Sequence, residues 1–110
     1  MSFQSLRVWE KSKDLAVHIY LESKKSASLY KDFGFRDQLC RAAVSIPSNV
    51  AEGYEMESNK HSIHHFTVAK GSCAELITQI LIAQAIGYIP REIGEELTKE
   101  ATHVLAMLKI

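Results

Sequence analysis

The run from Gln38 to Gly53, QLCRAAVSIPSNVAEG, repeats its residue types at three- and four-residue spacing and so reads as an amphipathic helix. Extended back to Phe35, its apolar row is Phe35, Leu39, Ala42 with Ala43, Ile46 and Val50, a stripe of the kind that faces a core. Pro47 lies inside the run, where it removes one backbone hydrogen bond and disfavours helical geometry at Ile46. The apolar row keeps its phase across the proline, which favours a kink over a stop and restart. Gly53 reads as the terminator, with the helix spanning Phe35 to Tyr54.

A second row, Gln38, Arg41, Ser45, Asn49 and Glu52, runs beside the apolar one rather than opposite it. Lys70, Ser72 and Glu75 in the next helical segment are its natural partners, with Gly71 letting another backbone approach closely. Buried polar groups need partners, so these residues predict a polar network between the two helices, with Arg41 paired to Glu52 or Glu75. A small-molecule or catalytic pocket built on Glu52 and Arg41 is the competing reading; the structural role is preferred.

Outward from this run, three further segments have helical rhythm. Leu6 to about Lys25 carries Leu6, Trp9, Ala16, Ile19 and Tyr20, widened by Val8, Leu15 and Leu21, with Ser5 as N-cap. Ser26–Gly34 breaks the pattern and reads as a loop. Ser58 or Asn59 caps a long third helix ending near Gly87, with the stripe Ile63, Phe66, Ala69, Cys73, Leu76, Ile77 and Ile80. Pro90 opens a fourth, with Glu92, Glu95 and Glu96 near its positive dipole end and Ile93, Leu97, Ala101, Val104 and Leu108 on its buried face. Four amphipathic helices with short connections predict an all-α fold, an antiparallel up-down-up-down four-helix bundle forming a single domain over residues 1–110.

Between Leu76 and Ile89 the apolar residues surround most of the third helix. A helix apolar on nearly all sides needs a second partner, which predicts self-association through Leu81, Ile82, Ala85, Ile86 and Ile89.

Composition narrows the function. The 110 residues include 13 Lys+Arg and 13 Asp+Glu, so the broad positive field of a nucleic-acid binder is missing. The balance is uneven, with +3 in residues 1–50 set against −3 in residues 51–110. Pairing between helices is the preferred explanation, and a basic face on a neutral molecule the other. No run resembles a membrane span and the start is not a signal peptide, so a cytoplasmic protein with no membrane partner is expected. Cys40 and Cys73 sit in apolar helical patterns outside any CxxC, which suits packed, reduced thiols. His61 and His65 share a helical face beside His64, but a third ligand would have to be Glu57 or the distant His18 or His103, and no HExxH occurs. No metal or other cofactor is assigned. GxxxxGK[ST], GxGxxG and GxSxG are also absent, and no nucleophile–base pair emerges, so the protein is not expected to be an enzyme.

Three phrases together carry a resemblance: Leu6-Arg7-Val8-Trp9, the run Gln38–Gly53, and Phe66-Thr67-Val68-Ala69-Lys70-Gly71-Ser72-Cys73-Ala74-Glu75-Leu76. Over nearly its whole length the chain resembles the four-helix-bundle proteins first recognised as reading frames within intervening sequences of bacterial 23S rRNA genes. The resemblance implies a homopentameric ring. A related branch, the accessory proteins of diversity-generating retroelements, forms strongly basic pentamers that bind nucleic acid and engage a reverse transcriptase; the neutral charge here departs from that branch. Two functions follow. One is a non-enzymatic oligomeric module contacting RNA or a nucleic-acid-bound protein through Lys11, Lys13, Lys24, Lys25 and Arg36, each base repeated around the ring. The other is a structural or protein-interaction module without nucleic acid.

Overall fold

A computed structural model describes residues 2–109. Among them are a single 3-10 turn at Phe3–Ser5 and five α-helices: α1 (Arg7–Lys25), α2 (Ala27–Lys31), α3 (Phe33–Glu55), α4 (Asn59–Ala85) and α5 (Arg91–Leu108). No strand occurs among the described residues. The four long helices lie around one core, in which α3 packs on α1 and α4, and α5 packs on α1 and α4. The longest dimension, 43 Å, matches the roughly 40 Å length expected of the 27-residue α4.

The core follows the predicted stripes, except that Tyr20, Leu21 and Ile63, which period alone put in them, are exposed at 43%, 53% and 65%. Leu15, Ile19, Leu39, Ala43, Ile46, Val50, Ala69, Cys73, Leu76, Ile80, Leu97, Ala101 and Val104 are all buried. Pro47 is accommodated inside an unbroken α3, with its ring buried. Where the elements differ from expectation, local chemistry explains the difference. Ser5 lies in the 3-10 turn rather than capping α1, whose N-cap position is Leu6. The expected loop Ser26–Gly34 contains α2, because Ser26 Oγ accepts from Leu29 N and begins a new turn. That turn buries Leu29, which plugs the end of the core. Asp32 Oδ1 then accepts from Phe35 N, so α3 starts at Phe33, two residues before the sequence reading.

Glycine roles also shift. Gly53 lies within α3, which runs on to Glu55, and its missing side chain admits α4. A Cβ there would lie 3.2 Å from His65 Cβ and 3.2 Å from the Phe66 ring. Gly71, by contrast, has nothing within 4 Å and admits no neighbour. The predicted stop at Gly87 is where α4 ends. Its φ of +80° lets Tyr88 N donate to Ala83 O and Gly87 N to Gln84 O, which satisfies the last carbonyls.

By length and composition α4 would also suffice to cross a bilayer, with a mean hydropathy of 1.2 in its most apolar stretch. Lys70 and Glu75 interrupt it, and Ala69, Cys73, Leu76, Ile80 and Ala83 face the core, so much of that apolarity serves packing.

Candidate functional site

The seam between α3 and α4 holds the most connected polar groups. Ser45 Oγ and Ser72 Oγ share a hydrogen bond of 2.8 Å across the seam. One turn along, Asn49 Nδ2 donates to Ser45 O at 2.8 Å and lies 3.1 Å from Ser45 Oγ. Asn49 Oδ1 then accepts from His65 Nδ1 at 2.9 Å, which fixes the proton on that ring nitrogen. As the α3 member advances from 45 to 49 its α4 partner falls from 72 to 65, so the ladder follows the seam. Partly buried and internally satisfied, it sets the register of two helices.

Of the six residues predicted for this network, Ser45 and Asn49 are its centre. Ser72, weighed as a partner, joins them, and His65 enters unforeseen because its spacing suggested a histidine cluster. Glu52 is exposed and reaches His65 only at 4.0 Å. Glu75 accepts from Gln79 Nε2 at 3.3 Å along its own helix. The predicted pairing of Arg41 is overturned, since its guanidinium is 79% exposed and lies 3.7 Å from Asp37, one turn earlier on α3. Four residues separate Arg41 from Asp37, whereas Glu52 is three turns away along the same helix. Gln38, Arg41 and Glu75 instead line a groove of about 350 Å³ over the ladder, with Asp37, Ser45 and Ser72. Asp37 and Glu75 outnumber the single Arg41, so the charged lining of the groove sums to −1.

The bases do not converge. Lys11 lines the α1–α5 groove and Lys13 the α1–α3 groove, on different faces of α1. Lys24 and Lys25 sit near the far end of α1, about 20 Å along the axis. Lys13 pairs with Asp14 at 2.7 Å, which raises its pKa, and Lys25 pairs with Glu22 at 3.2 Å. Arg36 stacks on Tyr30 and Phe33 at 4.4 and 4.9 Å while donating to Tyr30 O. Lys11 and Lys24 carry no ion pair among the described residues.

Apart from Ile63 and Val68 in the first half of α4, exposed aliphatic residues gather in two separate places. Leu81, Ile82, Ala85 and Ile86 occupy the outer surface of α4, as predicted, and Ile86 is 56% exposed. Ile89 does not join them: at 6% exposure it turns inward beyond Gly87 and belongs to the core. Over the α1–α3 seam, Val17, Tyr20, Leu21, Val44 and Pro47 form an apolar groove that the sequence reading missed. Val17, Leu21 and Val44 sit at the edges of their stripes, where periodicity alone does not separate core from surface.

Neither thiol is arranged as a nucleophile. Cys40 and Cys73 are free and buried. Burial pushes the Cys73 thiol up to about 11, and its Sγ donates to Ala101 O. Burial likewise raises Cys40. His61 and His64 are exposed, whereas His65 is engaged by Asn49, so that turn does not gather a ligand set.

Comparison with known proteins bears on these features. The sequence profile described as 23S rRNA-intervening sequence protein matches residues 4–110. Among solved structures, the chain is similar to a protein of unknown function from the S23 ribosomal protein family of Bacteroides thetaiotaomicron VPI-5482. The two share 26% identity with a TM-score of 0.86, over 92% of this chain and 94% of that one. No curated protein matches the sequence.

Proposed function

The chain belongs to the 23S rRNA-intervening sequence protein family, and from that premise we propose that it is a non-enzymatic module that assembles with copies of itself. Its helices run up-down-up-down in an antiparallel bundle, and the bundles join head to tail in a closed ring. The observation that carries this reading is the pair of separate apolar patches. One is Val17, Tyr20, Leu21 and Val44 on α1 and α3; the other is Leu81, Ile82 and Ile86 on α4. Two different patches that meet between copies make a heterologous contact, which closes into a ring when the rotation permits. Five copies is the number the family resemblance supplies. A cytoplasmic setting suits the two unpaired thiols.

Native mass spectrometry of the purified chain tests the reading. A single closed species is expected, and a wild-type monomer at micromolar concentration refutes it. Leu21→Glu and Leu81→Glu should each give monomers. Mixed together they should give heterodimers, since each variant retains the patch the other has lost. An isologous contact predicts no such rescue.

Contact with RNA or a nucleic-acid-bound protein is the second reading. It draws on Lys11 and Lys24, exposed and without ion pairs among the described residues, whose charges a ring would multiply. Lys13, Lys25 and Arg36 would contribute less, given their engagements. Binding to single-stranded RNA that weakens steeply with salt supports this reading; salt-independent binding, or none, removes it.

A further inference from the structure

Outside the sites described so far, one cluster has the ingredients of a ligand set. His18 on α1 faces Glu100 on α5, with Nδ1 2.8 Å from Glu100 Oε2. Its other nitrogen, Nε2, lies 3.5 Å from Glu22 Oε2, one turn along α1. Glu96, one turn before Glu100 on α5, completes a group in which one ligand atom each of His18, Glu96 and Glu100 lie within 4.8 Å of one another. Two i,i+4 pairs, His18/Glu22 and Glu96/Glu100, therefore face each other across the seam between the first and last helices.

Both imidazole nitrogens point at carboxylate oxygens, and a neutral imidazole has only one N–H to give. Without an ion, Nδ1–H donates to Glu100. A cation that displaces this proton, with Nε2–H turned to Glu22, would find the Nδ1 lone pair and two α5 carboxylates around it. We propose that His18, Glu96 and Glu100 bind one divalent transition-metal ion of the Zn²⁺ or Mn²⁺ type, and that Glu22 orients the histidine ligand.

The geometry suits this class of ion. Ligand atoms each about 2.1 Å from a tetrahedral ion lie about 3.4 Å apart, so the 2.8 Å pair opens slightly and Glu96 swings inward. Glu96 is exposed and free to do so, while His18 and Glu22 are held by packing, with side-chain exposures of 22% and 10%. One nitrogen with two oxygens and room for water fits a borderline ion, in contrast to the all-oxygen sets of Ca²⁺ and Mg²⁺. A Glu22 carboxylate behind the imidazole is the usual outer support of a histidine ligand. Bound there, the ion would clip α1 to α5, independently of how copies assemble.

The test uses the full chain after treatment with a chelator, titrated calorimetrically with Zn²⁺ and with Mn²⁺ near pH 7. One site per chain is expected for at least one of the two ions, with a rise in Tm when it is added. His18→Ala should abolish the site. Glu96→Gln, at an exposed position that leaves folding intact, should weaken binding at least tenfold. Glu22→Gln should weaken it by about 10–100-fold. A His61→Ala/His64→Ala/His65→Ala chain should bind as the wild type does. Failure of the wild-type chain to bind either ion overturns the proposal. So does binding that survives Glu96→Gln unchanged, or that disappears with the three α4 histidines; His18 is then only an ion-pair bridge between two helices.

Discussion

Asn49→Ala removes the central rung of the α3–α4 ladder, and its cost can be worked from the contacts. The substitution deletes the donation from Nδ2 to Ser45 and the acceptance by Oδ1 from His65. Ser45 O still has its helical partner, and His65, partly exposed, can turn to water, so no fully buried group is orphaned. Two lost hydrogen bonds at about 0.5–1.5 kcal/mol each give about 1–3 kcal/mol. Alanine recovers up to about 0.7 kcal/mol through its better helix propensity. The net expectation is a loss of about 1–2 kcal/mol, or about 4–8 °C in Tm for a domain of this size. Thermal and urea unfolding must be compared at one fixed protomer concentration, because assembly contributes to apparent stability. A double-mutant cycle with His65→Ala isolates the rung, with an expected coupling of about 0.5–1.5 kcal/mol. Additive effects of the two substitutions, within about 0.3 kcal/mol, would refute the view that these residues hold the helices in register.

Four further outcomes can be checked. Gly53→Val should destabilise by about 1–3 kcal/mol in urea unfolding, because its side chain meets His65 and Phe66. Gly71→Ala, in open space, should stabilise by up to about 1 kcal/mol; a loss there would contradict the open geometry. Tyr88 Oη donates to Asp32 Oδ2 at 2.6 Å, and this bond, with Phe35 N–H, holds the Asp32 carboxyl below its usual range. A carboxyl so depressed adds stability above its unfolded value of about 3.9, which is lost as pH falls through the lower folded value. The same bond raises Tyr88, whose contribution is present below about 10 and lost as pH rises through its folded value. The Tm gap between wild type and Tyr88→Phe should therefore be widest near neutrality and shrink at both extremes; a flat gap would oppose it. Cys73, with its thiol pushed up to about 11, should resist iodoacetamide in the native chain at pH 8 and react readily in denaturant. Rapid native labelling at Cys73 would count against its packed environment.

What the sequence made legible was the part governed by period. The stripes of α1, α3, α4 and α5 recur far enough to outweigh local exceptions, which is why Pro47 did not mislead: the residues on either side stayed in phase. What it hid was governed by single hydrogen bonds. Ser26 and Asp32 each begin a helix with one side-chain acceptor, and a nine-residue break in period does not show that such caps sit inside it. Glycine was misread in the same way. Gly53 and Gly71 are both helical, and only the position of α4 makes one a close approach and the other idle. In the polar row, Ser45 and Asn49 were legible because they adjoin the core, whereas Arg41 is long enough to leave it for water and Asp37. Ile89 was grouped with Leu81 and Ile86 by hydropathy, yet the left-handed Gly87 between them turns the chain and sends Ile89 inward.

The charge balance ends in a different place from where composition alone leaves it. Pairing between helices was the simpler way to reconcile a basic first half with an acidic second half. Yet Lys13–Asp14, Lys25–Glu22, Arg41–Asp37 and Arg91–Glu95 each lie within a single helix. Among the described residues, His18–Glu100 is the one pair of opposite formal type joining the halves, and it has a titratable member. The +3 and −3 are therefore largely left uncancelled inside the chain. A neutral protein with an internal charge offset repels its own copies less than a uniformly charged one and attracts them in one orientation more than in others. The negative share, however, sits at the end of α3 and the turn after it (Glu52, Glu55, Glu57) and on α5 (Glu92, Glu95, Glu96, Glu100), whereas α4 carries Lys60, Lys70 and Glu75, so charge does not single out the aliphatic surface of α4. Hydropathy, not charge, selects the proposed contact between α1 and α3 of one copy and α4 of the next, while zero net charge spares the copies mutual repulsion.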